Sequence, residues 1–194
     1  MIIHCTKKLK DKLVVSNNTE QEATASLSVI GSWHANLIVI QRRQCVIFVH
    51  DITRYAVFIS CLTKPDFANL EHHFQDVFIN SLIKAGLDFE LIDKAANLIT
   101  PLVFDTDCNR SVQGTMRLMS DDIKWGLQYN NQSITELLPY STSAWLSDRP
   151  CTIKGQKDCV WPIKAMGELL STIAWTRVIE YATLSTQLSI ARKK

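Results

Sequence analysis

The sequence predicts an α+β fold: an antiparallel β-meander of four to five strands packed against helices, with a helical C-terminal third. Three observations predict it. Trp33–Ile40, Cys45–His50 and Tyr55–Ile59 are rich in Val, Ile and Phe and are separated by breaks too short for a crossover, so they must pair antiparallel. From Phe67 the apolar spacing changes: Phe67, Leu70, Phe74, Val77, Phe78, Leu82 and Ile83 recur at three and four, the period of a helix. Late in the chain Ile163, Met166, Leu170 and Ile173 form another such stripe behind Pro162, a residue suited to a first helical position.

The elements follow in order. Ile2–Cys5 is a short β-type run, and Thr6 can cap a helix through about Leu13. Residues 16–28 are polar, small and aperiodic, a loop with disorder as its alternative. Gln41–Gln44 makes a hairpin loop and Asp51–Arg54 a second turn. The second and third strands are almost continuously apolar, so part of the sheet is covered on both faces, with helices mainly on one. Pro65 and Asp66 open the helix Phe67–Ala85, and Gly86 ends it as the left-handed residue. Asp88 caps a helix over about 89–97, and Thr100–Asp105 reads as a strand. Ser111 to about Leu127 is helical, with Val112, Met116, Met119, Ile123 and Leu127 on one stripe. Ser133-Ile134-Thr135-Glu136 is a capping box for a short helix. One domain is expected over 1–175, with 176–194 as a helical extension or tail.

Composition narrows the class. Of 194 residues, 46% are hydrophobic and 21% charged, which excludes collagen, low-complexity disorder and a disulfide scaffold. No run of about 18 apolar residues occurs, so no membrane span is expected. The net charge of +2 matches the surplus in the terminal Arg192, Lys193 and Lys194; Lys7, Lys8, Lys10 and Lys12 form one local cluster, read as a solvated helix face. The six cysteines form no CxxC pair and the N-terminus lacks signal-peptide character. A reducing cytoplasm with free thiols is the expected setting.

The chemistry-bearing residues are few. Glycine-rich nucleotide motifs and the GxSxG elbow are absent, so no cofactor is expected. Zinc lacks any standard ligand spacing; Asp105 and Asp107 suggest Mg²⁺ but no third acidic ligand is evident, so no metal is assigned. His34 and Asn36 share one face of their strand, as a polar pocket floor or as one satisfied hydrogen-bonded pair. The stretch 105–111 runs from a strand end into a helix start, where free backbone N–H groups favour anions. Asn109, Arg110 and Ser111 are therefore candidate ligand- or anion-binding residues beside His34 and Asn36. The bland alternative makes Asp107 or Asn109 a helix cap and leaves Arg110 exposed or ion-paired.

Met1–Leu9, Gly31–Leu37, Arg42–Phe48, Lys64–Phe67 and Asn109–Met116, in that order, carry a resemblance. Together they resemble a bacterial family of uncharacterised proteins, a domain of unknown function, with WHANL, RRxCVxF and NRSVxGxM motifs. The resemblance reaches about residue 172. It implies one compact cytoplasmic domain of bacterial origin and transfers no activity.

On function the sequence favours a non-enzymatic binding or regulatory protein that acts through a protein or nucleic-acid partner. The alternatives are an enzyme of unrecognised type acting on a phosphate-containing substrate, with Arg110 as electrophile and His34 as base, or a structural homo-oligomer. No catalytic residue is assigned.

Overall fold

The computed structural model describes residues 1–13, 28–99, 101–153 and 157–175. The expected extension 176–194, and the expected loop 16–28 as far as residue 27, lie outside the described residues.

The chain folds as an α+β structure: a five-stranded, mostly antiparallel sheet in the order β4-β3-β2-β1-β5, packed with seven helices among the described residues. The strands are β1 (Ile2–Cys5), β2 (Trp33–Ile40), β3 (Arg43–His50), β4 (Ala56–Leu62) and β5 (Val103–Asp105). The meander expected over 33–59 is β2–β3–β4, paired antiparallel throughout. Its first turn is tighter than the expected Gln41–Gln44 loop. Gln41 and Arg42 both have positive φ, and Ile40 pairs directly with Arg43. Two left-handed residues match the right-handed twist of the flanking strands, so they close a hairpin without splaying it.

β1 and β5 join in parallel, with Ile3 opposite Trp33 and Phe104. Both links to β1 span long stretches of chain, which parallel pairing requires. The expected strand from residue 100 is in fact shorter, beginning at Val103.

The helices are α1 (Lys7–Lys10), α2 (Lys64–Ala68), α3 (Leu70–Lys84), α4 (Phe89–Leu98), α5 (Arg110–Tyr129), α6 (Pro139–Ser147) and α7 (Pro162–Thr172). The single helix expected over 67–85 is two, divided at Asn69. Thr63 and Asp66 close a capping box that starts the first piece three residues early. Thr6 precedes α1, but its hydroxyl donates to Asn36 Oδ1 instead of capping the helix.

Helices cover both faces of the sheet rather than mainly one. Ile3, Trp33, Ala35, Val46, Phe48 and Val57 pack on one side with Phe74 and Phe78 of α3, Ala95 of α4 and Met166 of α7. Ile40, Cys45, Ile47, Val49 and Phe58 pack on the other with Val112, Met116, Met119, Ile123 and Leu127 of α5. That alternation explains why β3 is continuously apolar from Cys45 to Val49: each of these residues is buried whichever way it points.

Two buried polar groups hold the β3–β4 turn. His50 Nε2 donates to the Ile30 carbonyl at 2.8 Å, while Nδ1 accepts from the Thr53 amide at 3.1 Å. Burial pushes this imidazole down to about 4, against the partial support of the Ile30 carbonyl. Arg54, with positive φ, folds its guanidinium inward, where burial lowers its pKa.

Candidate functional site

Register brings the site together. Cross-strand partners share a face of a sheet, and Asp105, His4 and His34 stand side by side across β5, β1 and β2. The imidazole centroids of His4 and His34 are 4.8 Å apart. Asp51, the first residue after β3, reaches the same place. Its Oδ1 is 2.6 Å from His34 Nδ1 and its Oδ2 is 3.8 Å from His4 Nε2. On the other flank Asp105 Oδ1 accepts from His4 Nδ1 at 2.7 Å. Two imidazole–carboxylate pairs therefore sit in contact, at the end of the sheet where α5 begins.

The pairs differ in access. The His34 side chain is 3% exposed and that of His4 16%, whereas Asp51 and Asp105 are 23% and 40% exposed. The Asn109 amide donates to His34 Nε2 at 2.8 Å, which places the ring proton on Nδ1, facing Asp51. Both nitrogens of His34 are thus engaged within the protein. His4 has one nitrogen bonded to Asp105, while its second, Nε2, faces Asp51 Oδ2 at 3.8 Å, beyond hydrogen-bond length.

Arg54 braces the cluster from beneath. Its Nη1 donates to the Asp51 carbonyl and its Nη2 to Ser111 Oγ at 3.2 Å, tying the β3–β4 turn to the first turn of α5. Its Nε has no hydrogen-bond partner among the described residues.

The residues singled out from sequence separate into two groups. His34, Asn109 and Ser111 come together, through His34 Nε2 and Arg54 respectively. Asn36 does not join them, because its side chain is taken by Thr6. Arg110 is exposed and makes no hydrogen bond or ion pair with the described residues. Asn109 is the cap of α5: its Oδ1 accepts from the Ser111 and Val112 amides at 2.9 and 3.4 Å, and its carbonyl takes the Gln113 amide. Its side chain thus occupies two of the four donors that a helix start would offer an anion, and its own amide is a third, given to His34. His34 and Asn36 are both satisfied, but through separate partners.

Sequence reasoning missed His4, Asp51 and Arg54, and weighed Asp105 only with Asp107, as a Mg²⁺ pair without a third acidic ligand. A partial signal existed for His4, which interrupts an apolar strand as His34 does. For Asp51 there was none, since an aspartate in a turn is ordinary.

The family model for a domain of unknown function, DUF6933, matches residues 2–165. The chain belongs to that family. The resemblance drawn from the WHANL, RRxCVxF and NRSVxGxM segments is to a domain of unknown function, and the match bears it out. The matched span takes in every residue of the His–Asp cluster and of its Arg54 and Asn109 supports. No curated protein and no solved structure matches the chain. No helix among the described residues is long and apolar enough to cross a membrane.

Proposed function

We propose that this member of the DUF6933 family is a non-enzymatic binding protein of the bacterial cytoplasm, acting through a protein partner that docks on the outer side of α5 and α6. One observation carries the reading. Leu118, Trp125 and Tyr129 on α5, with Leu138 and Trp145 beside them, are 46–91% exposed. At 100° per residue the three α5 side chains fall on one ridge. Next to it lies a groove of about 340 Å³ lined by Ile123, Gly126 and Leu127 of α5 and by Leu138, Thr142 and Trp145. Scattered exposed apolar residues need no explanation; a leucine and two aromatics aligned on one helix face beside an apolar groove are what partner surfaces use. The rim is polar: Arg149 pairs with Asp122 at 2.8 Å and lies over the Trp145 ring.

The enzymatic alternative names His34 as base and Arg110 as electrophile. His34 has both nitrogens engaged within the protein, and Arg110 is exposed without a hydrogen bond or ion pair to the described residues, so the surface is the better supported reading. The test places a photo-crosslinking amino acid at Trp125, with a control at the exposed Lys8 of α1, in cells producing the protein. The expected result is one protease-sensitive adduct of discrete mass at position 125, lost when Leu138→Asp is added. A nuclease-sensitive adduct would replace the protein partner by nucleic acid, an adduct of two chain masses would make it self-association, and equal labelling from both positions would overturn the surface.

A further inference from the structure

The His–Asp cluster is independent of that surface and asks for its own occupant. Three side chains with metal-ligating atoms converge there: His4 on β1, Asp105 at the end of β5, and Asp107 two residues on. One ligand atom from each lies within 4.8 Å of the others. His4 Nδ1 and Asp105 Oδ1, 2.7 Å apart, are close to the spacing of two adjacent ligands on one ion at bond lengths of about 2.1 Å. The Asp107 amide donates to the same Asp105 oxygen at 3.1 Å, which fixes the carboxylate's orientation.

Asp51 supplies an observation of a different kind. A histidine that binds a metal almost always gives its other N–H to a carboxylate, which orients the ring and raises its basicity. Asp51 Oδ2 faces His4 Nε2, the nitrogen away from Asp105, across 3.8 Å. That carboxylate is itself held by His34, which the Asn109 amide holds in turn. The local charge points the same way. Asp51, Asp105 and Asp107 contribute three carboxylates, and Arg54 is the cation bonded into the cluster, at the Asp51 carbonyl. Lys10 of α1 reaches β5, where its ammonium donates to the Phe104 carbonyl at 3.3 Å.

We infer that His4, Asp105 and Asp107 bind a divalent cation, with Asp51 as the outer carboxylate on His4 Nε2. One imidazole with two carboxylates is a hard-to-borderline donor set, suited to Mn²⁺-like ions and unsuited to thiophilic ones. Three protein ligands leave further coordination positions to water. On binding, the cation takes the Nδ1 lone pair and the ring proton sits on Nε2, facing Asp51.

The test titrates the full chain with Mn²⁺ alone, followed by electron paramagnetic resonance, an ion that leaves the exposed Cys108 and Cys159 thiols aside. One Mn²⁺ per chain is expected. Asp105→Asn and Asp107→Asn each weaken it at least 10-fold, Asp51→Asn weakens it about 10–100-fold as loss of an outer carboxylate does, and Asp93→Asn on α4 changes nothing. Asp107 is exposed and its carboxylate makes no hydrogen bond with the described residues, so its variant keeps the fold. Paramagnetic broadening of amide resonances in the unaltered protein should centre on 4 and 105–109. Absence of saturable binding at millimolar Mn²⁺, broadening centred elsewhere, or unchanged affinity in Asp107→Asn overturns the site.

Discussion

Ser147 Oγ accepts the amide hydrogen of Ala56 at 2.9 Å, and one helical turn earlier Ser143 does the same for Phe58. Strand β4 is the edge of the sheet, and these amides point away from β3. Spacing of four on α6 matches spacing of two on the strand, so a helix seals an edge that a strand would otherwise seek. Ser147→Ala should leave the Ala56 amide buried and unpaired, lowering stability by about 1–3 kcal/mol. Urea unfolding measures it, and a rise in aggregation should accompany the loss because the edge is reopened.

His50 makes stability fall in acid. Its imidazole is depressed to about 4 by burial, against 6.5 in the unfolded chain. Between those values the unfolded state holds a proton that the folded state refuses, so stability rises with pH across this window and is lost as pH drops through it. The difference is about 3 kcal/mol at most. A nuclear magnetic resonance titration of the His50 ring should show a midpoint near 4; a midpoint at 6 or above contradicts the burial account.

Gly31 has φ +103°, and a Cβ there would meet His50 Nε2 at 3.2 Å. Gly31→Ala therefore combines backbone strain with pressure on the ring that bonds Ile30. A loss of about 1–3 kcal/mol is expected, with the His50 resonance displaced. Gly114→Ala, which meets open space in α5, should instead stabilise slightly.

Arg54 and Arg110 should behave oppositely. Arg54→Met removes the bonds to Asp51 and Ser111 and should destabilise by about 1–3 kcal/mol. Arg110→Ala should change stability by less than about 0.5 kcal/mol. Melting temperatures of the two variants decide the matter; equal losses would mean that Arg110 has a structural partner.

The meander and the amphipathic helices were legible because they depend on local period and short connections. What was not legible followed from distance along the chain. Nothing near Ile2–Cys5 says that it pairs in parallel with residues 33–35 and 103–105. The candidate site inherits this difficulty. His34 and Asn109 could be singled out because each is polar at an element boundary, but their partnership spans 75 residues. Asp51 gains its role only from the register that sets His4 beside His34. Arg110 was singled out because its position at a helix start is visible in sequence, whereas the choice between Asp107 and Asn109 as the cap that takes the donors is made only by geometry.

The central place of β1 sets an order on how the molecule is made. The meander of β2–β4 can form from 30 contiguous residues, whereas His4 meets Asp105 only after a loop of 101 residues has closed. Loop closure costs chain entropy before any contact rewards it. The His–Asp cluster is therefore a marker of completed folding: a nascent chain that ends before residue 103 can own the meander, but it has neither β5 nor the carboxylate that holds His4.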